Sequence, residues 1–194
     1  MAIEVIEDEA DATAHRITGD LGSGDPDRVA DAVRELDMRW QRLQDVAIPA
    51  PAADVLDVLD PATSEDVAVA YVSALSIHDF DPPVDPRDRL RWTVEALLRH
   101  GGSRLATEVF LKLADPESFG SGPNDALTLV QELGVHSDRA RDSVSWLVSF
   151  LLGHPDTRQP TLDVIASWTD RPMLDRVVKF VLPQLDPEER AQLG

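Results

Sequence analysis

Cysteine is absent from the chain, which excludes disulfide frameworks, thiolate nucleophiles and cysteine-containing zinc sites. Any metal would have to be held by histidine and carboxylates. Lysine is nearly absent too. Lys112 and Lys179 are the only two, and arginine carries the rest of the strong positive charge, a usage that suits a high-GC genome as well as a functional demand for guanidinium groups. No stretch stays apolar for the roughly 18 residues that a membrane-spanning helix needs. Residues 1–11 are acidic and lack both a basic start and an apolar centre, which reads against an ordinary secretory signal and gives a cytoplasmic expectation.

Negative charge is what the chain has in excess. Its 36 acidic and 18 basic side chains give a formal charge of -18, and such a field repels phosphate backbones and anionic lipid headgroups. Nucleic acid and membranes are therefore not expected as partners, whereas a basic protein surface would be attracted. Solubility, or adaptation to salt, accounts for the same charge without any binding function.

The 194 residues fit one domain better than two independent halves. Along them, short amphipathic segments follow one another, each opened by a cap and closed by Gly or Pro. Residues 1–24 read as an acidic, partly flexible arm or a weak first helix, and 25–194 as a single all-α domain with a division near 79–86. Asp25-Pro26 opens a helix whose Val29, Val33, Leu36, Trp40 and Leu43 make one apolar stripe. A short helix around 54–59 follows, and Thr63-Ser64-Glu65-Asp66 forms a capping box for the next. Val67 to Leu75 leave that helix almost no polar face, which places it centrally. A helix pair bounded by Asp85-Pro86, Gly101-Gly102 and Asp115-Pro116 comes next, then helices at about 123–133, 137–152, 160–168 and 172–182, and a short last one after Asp186-Pro187. No strand is required.

Three strings share a small-residue turn, an Asp-Pro or Pro-Asp step and an apolar helix. They begin at Leu21-Gly22-Ser23-Gly24-Asp25-Pro26, at Leu151-Leu152-Gly153-His154-Pro155-Asp156 and, more loosely, at Leu113-Ala114-Asp115-Pro116. The pattern resembles the turn and second helix of HEAT-like or armadillo-like repeats. That resemblance covers about half of the chain and implies stacked antiparallel helix pairs, an irregular α-solenoid binding other macromolecules along one face; a compact helical bundle is the competing architecture.

Catalytic motifs are missing. Gly19-x-x-Gly22-x-Gly24 precedes a helix, but Asp20, Asp25 and Asp27 would crowd a phosphate and no Gly-Lys-Ser/Thr follows, so a hinge is the better reading. His78, Asp79, Asp81 and Asp85 gather metal-ligand types within eight residues, yet Asp before Pro is ordinary turn chemistry. No cofactor and no resident metal are expected. His100 and His154 mark helix ends, where partial positive charge is welcome. Arg87, Arg89, Arg91, Arg99 and Arg104 are the one basic concentration, to be paired internally with Asp85, Asp88 and Glu95 or to form a binding patch.

Four tryptophans stand out in a chain otherwise poor in aromatics. Trp146 shares its helix with Val144, Leu147, Val148, Phe150 and Leu151, so core packing is expected there. Trp92 lies nearly opposite the stripe of Leu90, Val94, Leu97 and Leu98 and is the candidate hot spot. Arg87, Arg91, Trp92 and Arg99 are thus the candidate partner-binding residues.

The functional expectation is a non-catalytic protein-protein interaction module, an acidic scaffold or adaptor for a protein partner, basic by charge complementarity. An immunity or antitoxin protein covering a basic toxin is a specific version. Two further readings are a small-molecule hydrolase or lyase on a helical scaffold, marked by converging carboxylates, and a homodimer built through exposed apolar ends.

Overall fold

The structure, a computed structural model, describes residues 2–39, 43, 48, 50, 51, 53–59, 65–77, 80–115 and 122–193. These residues form eleven α-helices and no strand. In chain order they are α1 (Ala2–Leu21), α2 (Pro26–Met38), α3 (Ala53–Val58), α4 (Glu65–Ile77), α5 (Pro86–His100), α6 (Ser103–Ala114), α7 (Pro123–Leu133), α8 (Asp138–Gly153), α9 (Pro155–Ala166), α10 (Arg171–Val181) and α11 (Pro187–Leu193). A 3₁₀ turn, Leu182–Gln184, follows α10.

Helix starts follow local chemistry. Asp25, Asp85, Ser137 and Asp170 each accept a hydrogen bond from a backbone N–H of the first turn, and Pro26, Pro86, Pro123 and Pro155 occupy first positions where no N–H is needed. The packing has a simple order. From α2 onward each helix lies against the one two places along, so α2, α4, α6, α8 and α10 make one layer, and α3, α5, α7, α9 and α11 a second. One apolar cluster runs between the layers from Val29 to Leu193, and it includes Phe80 in the segment between α4 and α5. A smaller cluster, with Ala14, Ile17 and Leu36 in it, seats α1 on α2. Arg16 reinforces that seat by donating to Glu35.

The Gly101-Gly102 turn ties three helices together. Gly102 has φ +129° and no side chain to cap α6, so the cap comes from α4: Glu65 Oε1 accepts from the N–H groups of Arg104 (2.7 Å) and Leu105 (3.0 Å). A Cβ on Gly102 would collide with that carboxylate. The Gly102 N–H donates to Ser143 Oγ of α8 at 2.6 Å.

Several expectations change at this level. The acidic pair Glu65-Asp66 also reaches α6, with Asp66 paired to Arg104; Thr63 and Ser64, on which the expected capping box rests, lie outside the described residues. Residues Ala2–Leu21 form one helix that carries Gly19 within it. The helix after Asp25 ends at Met38, and Trp40 lies outside the described residues, whereas Leu43 is buried. The helix expected from residue 160 begins at Pro155, so Pro160 lies inside it. It survives there because α9 is held at its start by other bonds: Thr157 Oγ1 donates to Leu151 O and Arg158 to Leu152 O, closing the carbonyl end of α8. Of the three similar strings, the first leads into α2 in one layer, and the second and third lead toward α9 and α7 in the other; only the first, through Asp25, places a side-chain cap on the helix that follows. The central position expected for Val67 to Leu75 is observed, with α4 packed against α2, α5 and α6.

Candidate functional site

Helix α8 is the longest member of its layer, and its inner arc, including Val144, Leu147, Val148 and Leu151, is wholly buried. Its outer arc carries Asp142, Trp146, Ser149 and Phe150 at helical spacing. There the aromatic side chains join those of both neighbours. Phe110 of α6 lies 6.0 Å from Phe150 and 6.3 Å from His154, Phe150 stacks on Trp146 at 6.0 Å, and Trp146 meets Phe180 of α10 edge to face at 5.0 Å. These are ordinary separations for attractive ring pairs. The result is an aromatic ladder crossing three stacked helices, with Trp146 38% and Phe180 39% exposed. Polar groups beside it are paired: Arg176 donates to Asp142, and Gln184 to Ser149 Oγ.

Trp146 is the clearest correction to the sequence reading, which placed it in the core. Trp92, the expected hot spot, is half-buried, its covered part packed on the main core. Helix α8 is contacted by α5, α6, α9 and α10, which bury Ala140, Val144, Leu147, Val148 and Leu151 and leave Trp146 on the outer arc; α5 is contacted by α3, α4, α6, α7 and α8.

The basic concentration is dispersed. Arg91 pairs with Glu95 at 3.1 Å, Arg99 with Asp57 of α3, and Arg104 with Asp66 of α4. Arg89 donates to Leu75 O at the end of α4 and lies over the Phe80 ring. Internal pairing therefore dominates: Glu95 serves Arg91 on the same helix as expected, while Asp57 and Asp66 of other helices, rather than Asp85 or Asp88, serve Arg99 and Arg104. Asp85 instead caps α5 by accepting from the Arg87 N–H at 2.8 Å. Arg87 lines a small groove with Asp125 and Glu132 between α5 and α7. Arg99 is about 18 Å further along the helix axis, at about 1.5 Å per residue, and lines a different groove.

That second groove, about 700 Å³, is bounded by α3, the end of α5 and the turn between α7 and α8. Leu56, Leu59, Leu98 and Leu133 supply apolar walls; Asp57, Glu95, Arg99, His100, His136 and Arg139 supply the charged and titratable lining. His100 is 2% exposed, and its Nε2 has no hydrogen-bond partner. Burial, and then the nearby Arg99 and Arg139 guanidinium groups, push its imidazole below the ordinary value, so it is neutral near pH 7. His100 does end α5, as expected, but its burial there and the two guanidinium groups oppose the positive charge that a helix end would favour.

For the loop with metal-ligand residue types, His78 and Asp79 lie outside the described residues, and Asp81 is exposed. Among the described residues no three His, Asp or Glu side chains gather around one point, and no helix is long and apolar enough to cross a membrane. Comparison with protein-family models, curated proteins and solved structures found no match.

Proposed function

We propose that this chain is a non-catalytic protein-binding scaffold, a HEAT-like stack of helix pairs that grips a partner protein along the α6–α8–α10 face. The observation that carries the reading is the aromatic ladder from His154 through Phe110, Phe150 and Trp146 to Phe180. Trp146 and Phe180 expose more than a third of their surface beside the half-buried Phe110 and Phe150, and large aromatics anchor protein interfaces more often than other side chains do. The row also runs in the stacking direction, along which helical-repeat proteins present extended surfaces.

Charge supplies the second half of the mechanism. A chain of formal charge -18 draws a basic partner toward it and speeds encounter, while the desolvated rings hold the complex once formed. A basic toxin neutralised by an immunity protein is a specific case of that chemistry. Arg87, Arg91, Trp92 and Arg99 are secondary in this reading, since Trp92 is half covered, Arg91 is paired with Glu95, and Arg87 and Arg99 line different grooves.

The test is affinity co-purification of the tagged protein from its host at low and moderate salt, beside a Trp146→Ala/Phe180→Ala variant, followed by reconstitution with the purified partner. One stoichiometric basic protein that is weakened by salt and lost in the variant supports the reading. Recovery of the chain alone, or a partner retained equally by the variant, overturns it. Light scattering separates a second copy of this chain from a foreign partner.

A further inference from the structure

We propose that α1 is a hinged flap, loosened by like charge, that swings away from α2 about the Gly19–Gly24 segment in dilute salt and closes on it as ionic strength rises.

Charge sets the two helices against each other. Helix α1 carries Glu4, Glu7, Asp8, Glu9, Asp11 and Asp20 against Arg16 alone. Helix α2 carries Asp27, Asp31, Glu35 and Asp37 against Arg28 and Arg34. Packed helices lie about 8–10 Å apart. A Debye length of about 30 Å at 0.01 M leaves that separation almost unscreened, and one of about 3 Å at 1 M screens it nearly completely. Two contacts oppose opening, Arg16 with Glu35 and Arg28 with Asp20. Both lie in the half of α1 nearest the turn. Further from the turn, the exposed Glu9 and Asp11 side chains meet no cation among the described residues.

Packing adds little resistance. The cluster that seats α1 has seven buried residues, three of them alanines, and α1 contributes only Ala14 and Ile17 to it, with Leu21 partly buried alongside. Apolar stabilisation scales with the area covered, so this seat is weak. The main cluster begins at Val29 and holds no buried residue of α1. Opening the flap therefore leaves the main core closed, as expected of a lightly attached unit that unfolds or undocks separately from the rest.

Glycine marks the pivot. Gly19 lies in the last turn of α1, where glycine weakens a helix, and Gly22 and Gly24 follow in the turn to α2. Gly24 has φ +69° and needs glycine for its backbone. Gly19 and Gly22 have no positive φ. A Cβ on Gly19 would meet nothing within 4 Å, and one on Gly22 only the Thr18 carbonyl at an ordinary 3.7 Å. Neither space nor backbone angle calls for glycine at these two positions, and what glycine still supplies there is freedom to bend. The string Gly19-x-x-Gly22-x-Gly24 thus acts as the hinge. When it opens, the α2 strip around Ala32 and Leu36 meets water, while the α6–α8–α10 face, built from other helices, is untouched.

The test is hydrogen–deuterium exchange of the intact chain, read by mass spectrometry in about 0.01 M and about 1 M potassium chloride. Peptides from α1 should exchange at least about tenfold more slowly in the concentrated salt, while those from the central helix α4 change less than about twofold. Glu9→Gln/Asp11→Asn, altered only at exposed positions, should keep α1 protected in dilute salt and remove most of the salt response. Because the chain has no cysteine, a nitroxide pair can be placed at Ala12→Cys on α1 and Thr107→Cys on α6, both exposed. Its distance distribution should gain a longer component in dilute salt, and Gly19→Ala/Gly22→Ala should shrink that component. Equal exchange of α1 in both salts overturns the proposal, as does a parallel change in α1 and α4, the mark of general stabilisation. A salt response undiminished in Glu9→Gln/Asp11→Asn, a single distance in both salts, or a long component unaffected by the two alanines overturns it equally.

Discussion

The aromatic face and the groove at the end of α5 are incomplete in opposite senses. On the face, polar side chains are matched, Asp142 with Arg176 and Ser149 with Gln184, and apolar rings are left in water. In the groove the apolar walls are sheltered, and a single polar atom, His100 Nε2, is left unmatched. Excess apolar area in a row calls for a broad, shape-matching partner. A buried polar atom left without a partner carries a desolvation cost within the fold.

The sharpest way to break this comparison lies within α8, at two consecutive residues. Leu147 is fully buried, and Leu147→Ala should cost about 2–5 kcal/mol in chemical denaturation. Next in size is the Gly101-Gly102 turn. Gly102→Ala should cost about 1–3 kcal/mol, because the left-handed φ and the Glu65 carboxylate both oppose a Cβ; a calorimetric melt measures it. Trp146→Ala should cost about 1–3 kcal/mol, the scale of its two ring contacts with Phe150 and Phe180, while removing partner binding. If Trp146→Ala destabilised as much as Leu147→Ala, the face would be core and the contrast would vanish.

The smallest effect concerns acid. Arg158 joins Leu152 O, Gln184 O and the Glu189 carboxylate, clamping α11 to the end of α8. Its hydrogen bond, helped by the Asp186 backbone N–H, holds Glu189 below the usual carboxylate range. A depressed carboxyl contributes stability that is complete above its ordinary unfolded value and is lost as pH falls through the lowered one. Denaturation midpoints measured from neutral pH into acid should therefore fall less steeply for Arg158→Ala than for the parent chain. Identical slopes would remove the clamp from the account.

Much of the fold was legible because helix ends are local events. Asp25-Pro26, Asp85-Pro86 and Gly101-Gly102 act within a few residues, and the structure places helix ends at each of them. The exposure of Trp146 was not legible. Positions 144, 146, 147, 148, 150 and 151 cover most of a helix circumference, and only the packing of α5, α6, α9 and α10 around α8 decides which arc is buried. Nor could the groove be read, since Leu56, His100 and Arg139 are brought together by stacking from distant parts of the chain. Arg99 was its one member singled out among the binding candidates, for its charge. His100 was noticed only as a helix end. Pro160 misled for a different reason: a proline early in a helix looks like a start, and the bonds that hold α9 from Pro155 onward come from residues whose partners lie on the preceding helix.

The cap that Glu65 places on α6 bears on how the chain could be divided. A segment cut at Gly101 would be parted from the carboxylate that finishes the first turn of α6, and the Gly102 N–H depends on the Ser143 hydroxyl of α8. An insertion or deletion at that seam would therefore break bonds to helices on both sides of it, so α4, α6 and α8 hold together as one unit at this turn.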